Sequence, residues 1–402
     1  MKALLLTNEY PPYIYGGAGV HVEYLSRELS KLIDVEVRCF GDQKISGKSL
    51  TATGYLYDKS LFKTCPKLLE SPLSAVMRCL NFNSENIDAN VVHCHTWYTH
   101  FGGILAKKNY GIPLVITTHS LEPLRPWKRE QLGLGYDFSC WVEKTALEMA
   151  DAIISVSKET TSDILKYFDV KKENIKMIPN GIDTEEYQKT HEKNCFSKFG
   201  IDADKPYVLF VGRITRQKGI IHLVNAIKYL SPEIQVVLCA GMPDTPEIGT
   251  EMERAVNEIK KTRKNIVWIM EMVDNKTKIE LYSNAAVFCC PSIYEPFGII
   301  NLEAMACETP VVASSVGGMK EVVVNKETGL LVELDQLDAA PFEPKVPDKF
   351  SRDLASAINK LFADPDLRKK MGAAGRKRVV ENYSWTSVAE KIVKLYKSLI
   401  SK

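Results

Sequence analysis

Two cations and two carboxylates stand out by where they fall in the chain. The segment Gly212-Arg-Ile-Thr-Arg-Gln-Lys-Gly219 follows an apolar run at 207–211 and precedes a helical pattern starting near Ile220. Arg213 then sits at a strand end and Lys218 at a helix entry, so both can face one spot beyond a sheet. Two cations there would stabilise charge on a departing diphosphate, helped by a helix N-terminus. Taken alone, the segment says only that an anion binds, and a solvated basic loop is the plain alternative. Glu295 and Glu303 add a second signal, with seven residues between them. Pro296 and Gly298 put Glu295 on a loop, whereas Glu303 falls in the first turns of a helix. A carboxylate at Glu303 can accept both hydroxyls of a ribose, and Glu295 can reach a sugar ring. A dipole-complementing carboxylate would explain Glu303 but not Glu295.

The elements that must position these residues follow from short apolar runs alternating with helical patterns. The first run is Ala3 to Thr7, followed by Val22, Leu25, Leu29, Leu32 and Ile33 on one helix face. Further runs lie at 35–40, 91–94, 114–118, 152–156 and 175–178. Most are continuous, as parallel strands buried on both faces require. A polar stretch near 188–205 reads as a linker. A second series has strands at 207–211, 234–240, 266–270, 286–290, 310–314 and 329–332. The Pro- and Asp-rich segment 335–349 reads as a surface loop. Two doubly wound α/β halves result, and ligands of such sheets bind beyond the carboxyl ends of the strands.

The first half carries its own candidates. Gly16-Gly17-Ala18-Gly19 opens a helix after the first strand, where a backbone can approach a phosphate or sugar. It is not Gly-x-Gly-x-x-Gly, because Val20 and His21 follow. His93 and His95 alternate along a strand, but no further Cys or carboxylate has matching spacing for a metal. His119 follows a strand and can hydrogen-bond a sugar hydroxyl. Arg125, Trp127 and Lys128 follow it on the same rim; the cations suit a phosphate and Trp127 a sugar face. No Ser-His-Asp order, Walker sequence or zinc spacing occurs.

Composition narrows the class. At 402 residues the chain exceeds one core, so two domains are expected. Hydrophobic residues make up 45% and charged residues 25%, an ordinary globular balance. Lys and Arg number 52 and Asp and Glu 50, a net charge of +2 that gives no field for steering nucleic acid. No apolar stretch approaches about 18 residues, and the N-terminal run is too short for a signal peptide. The ten scattered cysteines form no Cys-x-x-Cys pair and suit a reducing compartment. A cytoplasmic enzyme without nucleic-acid or membrane partners is expected; its oligomeric state is not encoded in any motif.

With these residues in view, the chain resembles the retaining glycosyltransferases of the GT-B fold, two Rossmann-like domains facing a central cleft. More narrowly it resembles the short, actinobacterial-type glycogen synthases and α-maltose-1-phosphate synthases. The resemblance runs from Glu9-Tyr-Pro-Pro and Gly-Gly-Ala-Gly to the Trp385 helix. Arg-Ile-Thr-Arg-Gln-Lys-Gly, Tyr-Glu-Pro-Phe-Gly-Ile and Asn-Leu-Glu-Ala-Met-Ala carry the broad family. Ser-Leu-Glu-Pro-Leu-Arg-Pro-Trp-Lys and Cys-Ala-Gly-Met-Pro-Asp-Thr-Pro carry the narrower group. It implies that Arg213 and Lys218 bind the donor diphosphate, Glu303 the ribose and Glu295 the transferred glucose. His119 would contact that glucose, Asn180 would line the site, and Gly17 would let the N-terminal loop close. Gly317, Gly318 and Met319 would offer backbone N–H groups to the donor, and Gly16 and Gly19 would meet the acceptor. No cofactor or metal is implied, since Arg and Lys take the metal's part. The resemblance also implies a last helix crossing back to the first domain. The domains would then be 1–185 plus 385–402, and 186–384.

The reading that follows is a glycogen synthase, moving glucose from ADP-glucose or UDP-glucose to the 4-hydroxyl of an α-glucan. One alternative is α-maltose-1-phosphate synthase, with glucose 1-phosphate as acceptor and Arg125 and Lys128 as its phosphate contacts. A third, of another class, is an epimerase-like or non-catalytic nucleotide-sugar binder.

Overall fold

A computed structural model describes residues 1–401 apart from 242, 339 and 340. The chain forms two compact units, Met1–Gly181 with Trp385–Lys402, and Ile182–Ser384. Each is built on a sheet whose strands are the continuous apolar runs of the sequence.

The first unit's strands are β1 (Lys2–Thr7), β2 (Asp34–Phe40), β3 (Lys44–Ser46), β4 (Leu50–Tyr55), β5 (Val91–His95), β6 (Leu114–Thr118), β7 (Ala152–Ser155) and β8 (Ile175–Met177). Their order is β3-β4-β2-β1-β5-β6-β7-β8, parallel except for the β3–β4 pair. β3 and β4 are absent from the sequence reading. Lys44–Ser46 is wholly exposed and Leu50–Tyr55 is half-buried, so neither shows the continuous apolar run of an inner strand.

The helix Gly17–Leu29 packs beside β1 and against the terminal helix Trp385–Ile400. That terminal helix buries Trp385, Val388, Ala389, Ile392, Val393, Leu395 and Tyr396, its helically spaced apolar face, in the first unit's core. Trp385 stacks on Tyr24 with ring planes 1° apart. A Cβ on Gly181 would lie 2.6 Å from Trp385 Cδ2, so the chain can turn here only without a side chain. Tyr396 carries its hydroxyl to 2.6 Å from Nδ1 of buried His93.

The second unit contains β9 (Tyr207–Val211), β10 (Gln235–Cys239), β11 (Ile266–Ile269), β12 (Val287–Cys290), β13 (Val311–Ser314) and β14 (Gly329–Val332). All pairings are parallel, in the order β11-β10-β9-β12-β13-β14. The stretch 188–205 is not a linker. It carries the helix Asn194–Phe199, with Cys195 and Phe196 buried. The Glu280 carboxylate accepts from Cys195 N at 3.0 Å and Asn194 Nδ2 at 3.2 Å, tying the stretch to the second unit. A few well-placed apolar residues and one capping carboxylate outweigh its polar composition. Among the described residues no helix is long and apolar enough to cross a membrane.

Replacing Tyr396 by Phe keeps the packing but leaves His93 Nδ1 buried without its hydroxyl. The expected loss is about 1–3 kcal/mol in urea unfolding. An unchanged midpoint would show that the hydrogen bond does not hold the terminal helix.

Candidate functional site

In both units the polar side chains gather just beyond the carboxyl ends of the strands, as the topology dictates. In the second unit the turn after β9 is held by Gly219. Its φ is +59°, and an added Cβ would lie 2.1 Å from the Pro291 carbonyl oxygen. Only glycine allows this approach, which brings the β9 turn against the loop after β12. As a result Lys218 Nζ stands 2.7 Å from Glu295 Oε2. Ser292 Oγ donates to the same carboxylate oxygen at 3.1 Å. Burial works against the charge on Lys218, but the Glu295 carboxylate outweighs it and holds the ammonium pKa above its ordinary value.

Arg213 is held as well. Its Nη1 donates to Asp244 Oδ1 at 2.7 Å. The segment 239–246 that supplies Asp244 includes Met242, which lies outside the described residues. Both expected diphosphate contacts therefore already carry carboxylate partners.

Glu303 lies in the helix Ile299–Ala306 and is buried. Its Oε2 accepts from Tyr282 at 2.8 Å and its Oε1 from Tyr187 at 3.2 Å. Lys278 Nζ is 3.9 Å from Oε1. These partners fix the carboxylate's rotamer and leave it oxygen lone pairs for further donors.

Gly317 and Gly318 pack against the backbone of the Glu295 loop. A Cβ on Gly317, at φ +55°, would lie 1.9 Å from the Glu295 carbonyl oxygen, and Gly318 N donates to that oxygen at 3.0 Å. The Gly318 amide thus clamps the Glu295 loop. Met319 is buried beneath it, its sulfur 3.5 Å from Cys290 Sγ.

In the first unit, the glycine turn is occupied by an acid. Glu9 Oε2 accepts from Tyr15 N at 3.0 Å and Gly16 N at 2.7 Å. Gly17 begins the helix, and a Cβ on Gly19 would lie 2.7 Å from Glu9 Cβ. The turn is glycine-rich because the chain packs on Glu9 there.

Four histidines cluster nearby. His21 Nδ1 is 2.7 Å from Asn180 Oδ1. His119, half-buried, has Nε2 3.1 Å from His95 Nδ1, and its ring meets that of His21 edge-on at 4.6 Å. His93 instead bonds Tyr396 and Thr117. Burial drives the His21 pKa down to about 4 and those of His95 and His119 well below the usual value, so the rings are neutral at pH 7.

The 120–128 segment rests on a buried acidic pair. Glu143 Oε2 accepts from Glu122 N at 2.7 Å, and burial with the adjacent Glu122 charge pushes the Glu143 pKa well up. Arg125 Nη1 donates to Ser120 Oγ at 3.1 Å and Glu122 Oε1 at 3.3 Å. Lys128 Nζ donates to Gln131 Oε1 at 2.6 Å. Trp127 is only 6% exposed, so the sugar-stacking face expected of it is covered. Sequence reading missed Glu9, whose partners are the nearby turn amides, and His21, Asp244, Tyr187, Tyr282 and Lys278, whose partners lie far away along the chain.

Family models fit both units: "Glycosyltransferase Family 4" matches residues 15–186 and "Glycosyl transferases group 1" matches 192–341. The chain is 45% identical to an alpha-maltose-1-phosphate synthase of Mycolicibacterium smegmatis, over 99% of this chain and 100% of that one. The chain belongs to the GT-B glycosyltransferases. A sucrose-phosphate synthase structure from Thermosynechococcus elongatus, 25% identical, superposes with a TM-score of 0.78 over the whole of both chains. The glycosyltransferase is an enzyme of hexosyl transfer, which sets aside the epimerase-like and non-catalytic alternatives.

The expectation of glycogen synthase as the main reading is overturned. A glycogen synthase of Mycobacterium tuberculosis is only 25% identical, over 98% of this chain and 94% of that one, against 45% for the maltose-1-phosphate enzyme. The error has a physical origin: the residues that led to it sit on the donor side, which is shared by enzymes with different acceptors.

The buried histidines generate a pH dependence. An unfolded imidazole takes up a proton near pH 6.5, whereas folded His21 resists until about 4, and His100 until about 3. Between those values the unfolded chain binds more protons, so stability is complete above about pH 6.5 and falls as pH drops toward 4. Urea midpoints should decline from about pH 7.5 to 5, and less steeply in His100→Gln. Identical slopes in the two proteins would place His100 in contact with water.

Proposed function

We propose that this glycosyltransferase moves glucose from a nucleoside diphosphate glucose, ADP-glucose or UDP-glucose, to the 4-hydroxyl of glucose 1-phosphate. The product is α-maltose 1-phosphate, with configuration retained. The observation that carries the reading is the 45% identity, along essentially the full length of both chains, to an alpha-maltose-1-phosphate synthase. The match includes the first unit, where acceptor contacts are expected.

In this reaction the bond from the anomeric carbon to the diphosphate oxygen breaks, and a bond to the acceptor O4 forms on the same face. The acceptor's hydroxyl proton passes to the leaving diphosphate. Arg213 and Lys218 neutralise the charge that accumulates there. Lys218 exchanges its Glu295 partner for phosphate, which frees the Glu295 carboxylate for the hydroxyls of the transferred glucose. Glu303, already oriented by two tyrosines, takes the ribose. His119 and Asn180 bind sugar hydroxyls, and Arg125 and Lys128 hold the acceptor phosphate as charge-assisted donors. No metal ion is required, because the cations are supplied by side chains. The ten cysteine thiols, all unpaired, support a reducing, cytoplasmic setting.

The test is direct. Labelled ADP-glucose or UDP-glucose is incubated with glucose 1-phosphate or with glycogen. Label should appear in a small phosphorylated disaccharide; label only in precipitable polymer defeats the proposal. Arg213→Ala and Lys218→Ala should each lower kcat by ~10²–10³. Near-normal turnover in either removes that residue from the leaving-group site.

A further inference from the structure

Three histidines of the first unit converge at the carboxyl edge of its sheet. His21 comes from the helix Gly17–Leu29, His95 from the end of β5, and His119 from the residue after β6. One ring nitrogen from each lies within 4.8 Å of the others. His95 Nδ1 and His119 Nε2 are 3.1 Å apart. Two imidazole nitrogens on one ion, each at roughly 2.0–2.1 Å, stand about 3.0–3.4 Å apart, so this pair already has a ligand spacing.

His21 is oriented in the same sense. Asn180 Oδ1 is an acceptor, so the His21 nitrogen facing it, Nδ1, carries the proton. Nε2 is then a bare lone pair, buried and without a partner. Metal-bound histidines have this arrangement, with the second nitrogen donating to an oxygen that fixes tautomer and ring angle. Without an ion, His95 Nδ1 and His119 Nε2 share one proton as a hydrogen bond, and an ion binding there moves that proton to the other nitrogen of its ring. His119 is half-buried and gives the cluster an approach from solvent.

We propose that His21, His95 and His119 form a binding site for a first-row transition ion such as Zn²⁺, Co²⁺, Ni²⁺ or Cu²⁺. Three imidazoles select these ions over Mg²⁺ and Ca²⁺, which take oxygen ligands. Three protein ligands leave a fourth position to water. The ion is an inhibitor, not a cofactor: it takes the lone pair that His119 would offer the sugar. This inhibitory role rests on the function proposed above; the binding site does not.

The experiment is a titration of the full chain with Co²⁺, read by the visible d–d bands of low-coordinate cobalt, with Zn²⁺ added afterwards. The expected result is a band that saturates at one equivalent and is bleached by Zn²⁺. His21→Gln and His95→Gln should each weaken Co²⁺ binding by at least ~10-fold. His100→Gln, a buried histidine outside the trio, should retain it. Circular dichroism establishes that each variant is folded, and His21→Gln alone suffices if His95→Gln is not. Absence of a band in the wild type, or a band unchanged in folded His21→Gln, overturns the site. If Co²⁺ binds as expected but Zn²⁺ leaves glucosyl transfer unaffected, the site stands and the role of His119 in transfer fails.

Discussion

The ion pair between Lys218 and Glu295 is the contact on which the second unit's site depends. Both groups are largely withdrawn from water, and an unpaired charge in that position would cost several kcal/mol. The pair joins the turn after β9 to the loop after β12. Everything around it serves that junction. Gly219 lets the two backbones touch, Gly317 and Gly318 clamp the Glu295 carbonyl, and Ser292 shares the carboxylate. The helix carrying Glu303 begins at Ile299, directly after the same loop, which therefore also positions the Glu303 carboxylate. Under the proposed function, a nucleoside diphosphate would meet cations already in place and replace carboxylates as their partners. Little side-chain ordering then remains to be done on binding.

The first unit is built on the opposite principle. The carboxyl edge of its sheet is lined by neutral imidazoles, and the amides of the turn before its first helix are filled by Glu9. Such a surface neither attracts nor repels strong charge, which suits hydroxyl groups of a sugar. Arg125 and Lys128 add positive charge on a segment braced by the Glu122 and Glu143 pair.

Much of this was legible in the sequence, for reasons that particular residues make plain. The inner strands read correctly because runs such as Ala3–Leu6 and Val208–Val211 are apolar on both faces. β3 and β4 escaped because β3 is an exposed edge strand and β4, next to it, is only half-buried. Arg213, Lys218 and Glu295 were visible because each sits beside a glycine or proline that marks a turn, and Glu303 because it follows Glu295 by eight positions. What brings them into contact was not: Asp244, Tyr187 and Tyr282 reach the site from distant elements, and no local spacing announces them. His21 was noticed only as a residue that broke a glycine pattern, although in the fold it faces His95 and His119. The polar stretch 188–205 looked like a linker because composition does not reveal a single carboxylate such as Glu280 capping it. The acceptor was misread because donor motifs are common to enzymes of different acceptors.

The central claim is that Glu295 and the donor diphosphate compete for Lys218. Calorimetric titration of ADP into the wild type, Glu295→Gln and Lys218→Ala tests it most directly. Glutamine keeps the shape of Glu295 but releases the lysine from its counter-charge. The account predicts that Glu295→Gln binds ADP at least as tightly as the wild type, while Lys218→Ala binds it more weakly. ADP binding weakened to the same extent in Glu295→Gln as in Lys218→Ala would contradict the account.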